Sequence, residues 1–136
     1  MRKLLLLSGL CLGYLMSIAQ VPFVCDGDFF LSLGTNGNTT GFYRVQSNPT
    51  TGLLTFNGFS PGNTSGATVN AMGYRVTDNF FYGVDPDGSS LYRIGSDGQA
   101  FNVANLILSS AYRYVAGDVM PDGCALIVLG CGNLGN

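Results

Sequence analysis

"FFYGVDPDGSSLYRIGSDGQ", residues 80 to 99, reads as two short apolar strands, each followed by a tight turn. Pro86 presets the φ angle that a type I turn needs at its first corner, and Gly88 stands where a positive φ is required. The segment therefore closes a hairpin between Val84 and Leu91, and "GSDGQ" at 95–99 closes the next. A related phrase lies upstream, "FFLSLGTNGNTTGFYRVQSNPTTG", residues 29 to 52. Phe29-Phe30 align with Phe80-Phe81, and "FYRV" at 42–45 aligns with "LYRI" at 91–94. A second echo runs from "GYRVTDNFFYG" (73–83) to "GDVMPDGCALI" (117–127).

The two echoes, Phe29 to Phe80 and Gly73 to Gly117, have offsets of 51 and 44 residues. After residue 20 no stretch keeps a helical apolar period. Short runs of Phe, Tyr, Val, Leu and Ile alternate instead with turn-forming residues, the pattern of many short strands. Strands are expected at Phe29–Leu33, Phe42–Val45, Leu53–Phe56, Ala71–Val76, Phe80–Val84, Leu91–Ile94, Ala100–Val103, Tyr114–Val119 and Cys124–Leu129. About four strands per repeat of this length is the spacing of β-propeller blades. The expected fold is all-β, a partial β-propeller of about two to two and a half antiparallel blades after a signal-peptide helix. The blades fall near 25–60, 68–104 and 112–136 of a domain spanning 20–136, and residues 61–68 link the first two.

A single blade cannot bury both of its faces, so neighbours must cover it. Phe29, Phe30, Phe80, Phe81, Tyr43 and Tyr92 are expected to fill the layers between blades. Arg44 and Arg93 alternate with apolar neighbours and are expected on the opposite, solvated or salt-bridged faces.

The first residues, "MRKLLLLSGLCLGYLMSIAQ", combine a basic pair, an apolar run from Leu4 to Met16 and a small-residue exit at Ser17 and Ala19. That is a secretory signal over 1–19 with cleavage between Ala19 and Gln20. The apolar run is short for a bilayer span, which takes ~20 residues. Cleavage leaves four arginines against eight aspartates, a net charge of −4, with no lysine, glutamate, histidine or tryptophan. An acidic, lysine-free chain lacks the footprint of a nucleic-acid binder, and no membrane insertion is expected after cleavage. Without histidine, Ser-His-Asp and Cys-His catalysis and histidine-ligated zinc are excluded. No cofactor and no catalytic residue is assigned.

Three cysteines follow the leader: Cys25, Cys124 and Cys131. An odd number outside the cytoplasm points to a free thiol or an absent partner. An extended strand between Cys124 and Cys131 would hold them roughly 20 Å apart, whereas a disulfide needs Cα atoms about 4.4–6.8 Å apart. Pairing of Cys25 with either is geometrically open. Asp85, Asp87 and Ser89 in "DPDGSS" stand at the alternating positions that begin a calcium loop. An EF-hand also needs glycine at its sixth position and glutamate at its twelfth; Ser90 and Ser96 stand there, and the hairpin turn accounts for the segment. Asp26 and Asp28 in "CDGD" would share a strand face roughly 6–7 Å apart, a separation that overlaps glycosidase carboxylates. Nothing else supports an active site there, and the expected reading is solvated turn aspartates.

"TVNAMGYRVTDNFFYGVDPDGSSLYRIGSDGQ" (68–99), "VCDGDFFLSLG" (24–34) and "YVAGDVMPDG" (114–123) together resemble a secreted, propeller-like family of unknown function in gliding bacteria. The resemblance covers nearly all of the chain after the leader. It implies a module placed upstream of adhesin-like repeats or of a sorting module for cell-surface export, and it carries no catalytic residues. Members continue through further blades where this chain ends in "GCGNLGN", so the chain reads as an N-terminal portion. The partners expected are the remaining blades of the same protein or an unknown extracellular molecule, with self-association through the apolar C-terminal edge strand.

Two functions fit: a non-enzymatic surface module with a recognition or spacer role, or a small-ligand-binding or lactonase-type propeller enzyme using channel aspartates. The exported protein is expected to begin at Gln20, which intact-mass measurement checks. A secreted chain that retains Arg2 and Lys3 rejects the leader.

Overall fold

The computed structural model describes residues 20–24, 26–33, 39–59 and 66–132. The leader, the Ala19 side of its cleavage site, Cys25 and most of the 61–68 linker lie outside the described residues. Among those described there is no helix. The chain forms β1 (Phe29–Leu33), β2 (Gly41–Ser47), β3 (Leu54–Gly58), β4 (Met72–Arg75), β5 (Phe80–Val84), β6 (Ser90–Ile94), β7 (Ala100–Asn105), β8 (Tyr112–Val119) and β9 (Leu126–Gly132). Every strand expected from the alternation of apolar runs and turn residues is present. They form three antiparallel sheets, β1-β2-β3, β4-β5-β6-β7 and β8-β9, and none closes on itself.

The turns follow from their residues. In 85–88, 95–98 and 120–123 the fourth residue is a glycine with φ of 73°, 74° and 72°. Its N–H donates to the carbonyl of the first residue at 3.1, 2.9 and 2.7 Å. A type I turn followed by a left-handed residue matches the twist of a hairpin, and glycine takes that conformation without a Cβ penalty. β9 starts at Leu126 rather than Cys124 because Met120 N–H still bonds the Ala125 carbonyl, which keeps 121–124 in the turn.

Register corrects the repeat by one residue. Phe29 pairs with Val45 as Phe81 pairs with Ile94, so Phe29 is the counterpart of Phe81, not of Phe80. Met120 N–H bonds Ala125 across the β8–β9 turn, where Arg75 pairs with Phe80 across the β4–β5 turn. Gly117 is therefore the counterpart of Met72 rather than Gly73. A one-residue shift exchanges the two faces of a strand.

Two cores join the sheets. The first centres on Phe23, which belongs to no strand and is 3% exposed. Its ring meets Phe30, Phe42, Phe59 and Phe81 edge-on with centroids 5.2–6.0 Å away. Edge-to-face rings add to the area term through their quadrupoles. Val69, Ile94, Tyr74 and Tyr92 complete this layer between the first and second sheets. The second core packs Ala71, Val84 and Leu91 against Tyr114, Leu126 and Val128 of the third sheet.

Here β4 and β8 cross with their backbones almost touching. A Cβ on Gly73 would lie 2.3 Å from Val119 N, and one on Gly117 would lie 2.7 Å from Ala71 C. Both glycines serve this contact because they are not equivalent positions: Gly73 faces the next sheet at Asp118 and Val119, and Gly117 faces back at Ala71 and Met72.

The second sheet is thus covered on both sides, while each outer sheet keeps an open face. In the first sheet Phe30, Phe42 and Arg44 face inward. Phe29 (77% exposed), Tyr43, Val45 and Phe56 (54% exposed) share the other face. Of the aromatics expected between layers, Phe30, Phe81 and Tyr92 are there. Phe29 and Tyr43 lie on the open face, and Phe80 lies under the Arg93 guanidinium at 4.8 Å. Ile127 and Leu129 (62% exposed) give the third sheet an apolar outer face as well.

Phe23→Ala is expected to destabilise the fold by about 3–5 kcal/mol, read from the urea midpoint. Gly73→Ala should cost about 1–3 kcal/mol through overpacking. Gly132→Ala, where a Cβ meets nothing within 4 Å, serves as the control and should stay within about 0.5 kcal/mol.

Candidate functional site

The aspartates are the only acidic side chains of the protein, so any acid–base or metal chemistry would have to gather them. The fold places five of the eight in turns, with Asp118 on β8 and Asp26 and Asp28 beside Arg44. Asp85 Oδ1 accepts Ser89 N–H at 2.7 Å and Ser90 N–H at 3.0 Å, and Oδ2 accepts the Ser89 hydroxyl. Partial burial pushes this carboxyl up, but the Ser89 hydroxyl and the Ser90 and Ser89 amides outweigh it and hold the group below the ordinary aspartate range. The Ser89 hydroxyl, a would-be calcium ligand, is thus turned onto Asp85, and Asp87 is exposed. Asp97 and Asp122 each accept the amide two residues on, at 3.0 and 2.9 Å. Among the described residues no three His, Cys, Asp or Glu side chains are grouped to hold a metal ion.

Asp26 and Asp28 do not lie on a strand. Gly27, with φ of 83°, bends the chain between them. Both carboxylates turn to Arg44, whose Nε lies 3.0 Å from Asp28 Oδ2 and whose Nη1 lies 3.7 Å from Asp26 Oδ2. Cys124 lies in the β8–β9 turn and Cys131 near the end of β9; both are exposed and free.

Two polar clusters escaped the sequence reading because their members meet only in space. Gln20 is buried, and its side-chain amide donates to the Arg93 and Gln99 carbonyls at 3.1 and 2.8 Å. Its Oε1 accepts Arg93 Nε–H at 2.7 Å. Around Arg75, Nε donates to the Gly123 carbonyl at 2.9 Å and Nη1 to Asp78 at 3.1 Å. The Tyr82 hydroxyl donates to the same Asp78 oxygen at 2.8 Å. Partial burial and then the bond to Asp78 raise the Tyr82 phenol above its usual value. This cluster ties the β4–β5 hairpin to the β8–β9 turn across two sheets.

Among the clefts on the described surface, two adjoin the packed sheets. One, of about 240 Å³, has walls of Phe23, Phe30, Tyr74 and Phe81 and a rim of Asp26 and Asp28. The other, of about 330 Å³, lies where the three sheets meet, between Leu31, Ser32, Asn70, Met72, Ala116 and Gly117. No charged side chain lines it.

Successive antiparallel sheets stacked face to face, with turns of one recurring type, define an all-β repeat protein. The chain belongs to the family described as a repeat of unknown function (DUF6923), which matches residues 30–132. No curated protein and no solved structure matches it.

Asp85→Asn tests the turn role. A carboxyl held low in the native state stabilises it above the ordinary aspartate value, and that contribution fades as pH falls through the lowered native value. The substitution should cost about 1 kcal/mol at pH 7 and give a shallower loss of stability on acidification, both read from urea midpoints at neutral and acidic pH.

Proposed function

We propose that this chain is a β-propeller-like module of an exported, cell-surface protein, serving recognition or spacing rather than catalysis. The observation that carries the reading is the stacking of three consecutive sheets, with the first strands β4 and β8 crossing side by side. In a propeller the first strand of each sheet lines the axis, and neighbouring sheets cover one another in turn. The uncharged cleft where the sheets meet lies where such an axis would run. Five of the eight aspartates lie in turns, and the two that share a cleft rim, Asp26 and Asp28, are both engaged by Arg44, which supports a binding or spacing role over acid–base work by a free carboxylate pair.

The leader-like start and the resemblance to exported surface proteins support the location. The open apolar faces of the outer sheets support packing against further blades of the same protein, an extracellular partner, or a second copy through the edge strand β9.

A panel of lactone, glycoside and phosphoester substrates is expected to give no turnover. Turnover abolished by replacing a single aspartate would overturn the non-enzymatic reading. Antibody labelling of intact cells is expected to detect the protein at the surface, and labelling only after lysis would reject the location.

A further inference from the structure

The register of the first sheet shows which strand of the second sheet has no counterpart in it among the described residues. Val45 and Phe29 on β2 and β1 stand as Ile94 and Phe81 stand on β6 and β5. The order β1-β2-β3 therefore matches β5-β6-β7, and the counterpart of β4 is absent among the described residues. Among the described residues no strand pairs with the outer edge of β1, a row of backbone donors and acceptors that templates another strand. In the second sheet the same edge, that of β5, is filled by β4 over the pairs Met72 to Gly83 through Arg75 to Phe80.

We propose that the free edge of β1 binds an extended strand of β4 type, supplied by a further sheet of this repeat on another polypeptide segment. The uncharged cleft of about 330 Å³ receives it: Phe30, Leu31 and Ser32 form one wall, and Asn70 ahead of β4 with Met72 of β4 the other. The cleft is continuous with the β4–β8 crossing, since Ala116 and Gly117 also line it. The incoming strand lies beside β4 on the side away from β8, at a wider spacing than β4 from β8, because Met72 stands where β8 has Gly117. Its chemistry follows from that geometry. The face turned to β8 carries Ala71, just ahead of β4, and Gly73 on it, small enough for backbones to touch. The occupant needs the same small alternation toward Met72 and no charge in the cleft. Backbone pairing supplies affinity and the small residues supply specificity, as in strand addition generally. The inference rests on register and holds whether or not the module sits at the cell surface.

A fluorescent peptide with the sequence of residues 69–76 is titrated into the full chain by anisotropy, with amide hydrogen exchange followed on the complex. Saturable binding is expected, with slowed exchange confined to the β1 amides and the β5–β6 amides as the folded-state reference. The same peptide with valine in place of its glycine should bind about tenfold more weakly, and a scrambled peptide should not bind. Absence of binding, equal binding of the valine peptide, or protection at β3 or β9 in place of β1 overturns the proposal. So does a dimer by light scattering whose β1 amides are protected before peptide is added, because a second copy then fills the edge.

Discussion

The second sheet has two apolar faces, and covering both of them organises the molecule. A four-stranded antiparallel sheet with Tyr74, Phe81, Tyr92 and Ile94 on one side and Val84 and Leu91 on the other cannot stand alone in water. The first sheet and the Gln20–Val24 segment cover one side, and the β8–β9 hairpin covers the other. The two sides use different means. Phe23 seals the first by volume, filling the gap between sheets with a ring that touches four others. The second is sealed by absence of volume, since Gly73 and Gly117 let two backbones come together.

Polar groups hold the frame that these contacts need. Asp85, Asp97 and Asp122 satisfy turn amides, and each turn fixes the register of the hairpin it closes. Arg75, Asp78 and Tyr82 bind the β8–β9 turn to the second sheet, beside the glycine crossing. Gln20 does the same for the leading segment, which it anchors to β6 and the β6–β7 turn and so positions Phe23. The acidic residues thereby act on architecture. The proposed recognition role falls to the surfaces left over: the outer faces, the uncharged cleft and the edge of β1 that no described strand pairs.

The interior of the stack and its ends differ in one physical respect. Inner positions have neighbours on two sides, and outer ones have a neighbour on one. Residues with the same sequence context consequently meet different fates. Tyr92 packs into the first core, and its counterpart Tyr43 lies on an open face. Arg93 is held by Gln20 and lies over Phe80, and Arg44 is taken by Asp26 and Asp28.

Alternation and turn chemistry act over a few residues, so the sequence by itself determined the nine strands, the glycine turns and the grouping into three, four and two strands. The echoes of Phe29 in Phe80 and of Gly73 in Gly117 also revealed that a unit repeats. They placed it one residue out, because similarity of composition is blind to which face a side chain takes. Register is set by hydrogen bonds between strands, and only pairing decided that Gly73 faces the β8 backbone and Gly117 the backbone at the start of β4. Phe23 and Gln20 were illegible for a related reason: neither lies in a periodic segment, and their partners are 7 to 79 residues away. Those contacts exist only once the sheets have stacked, so the tertiary structure alone could assign them.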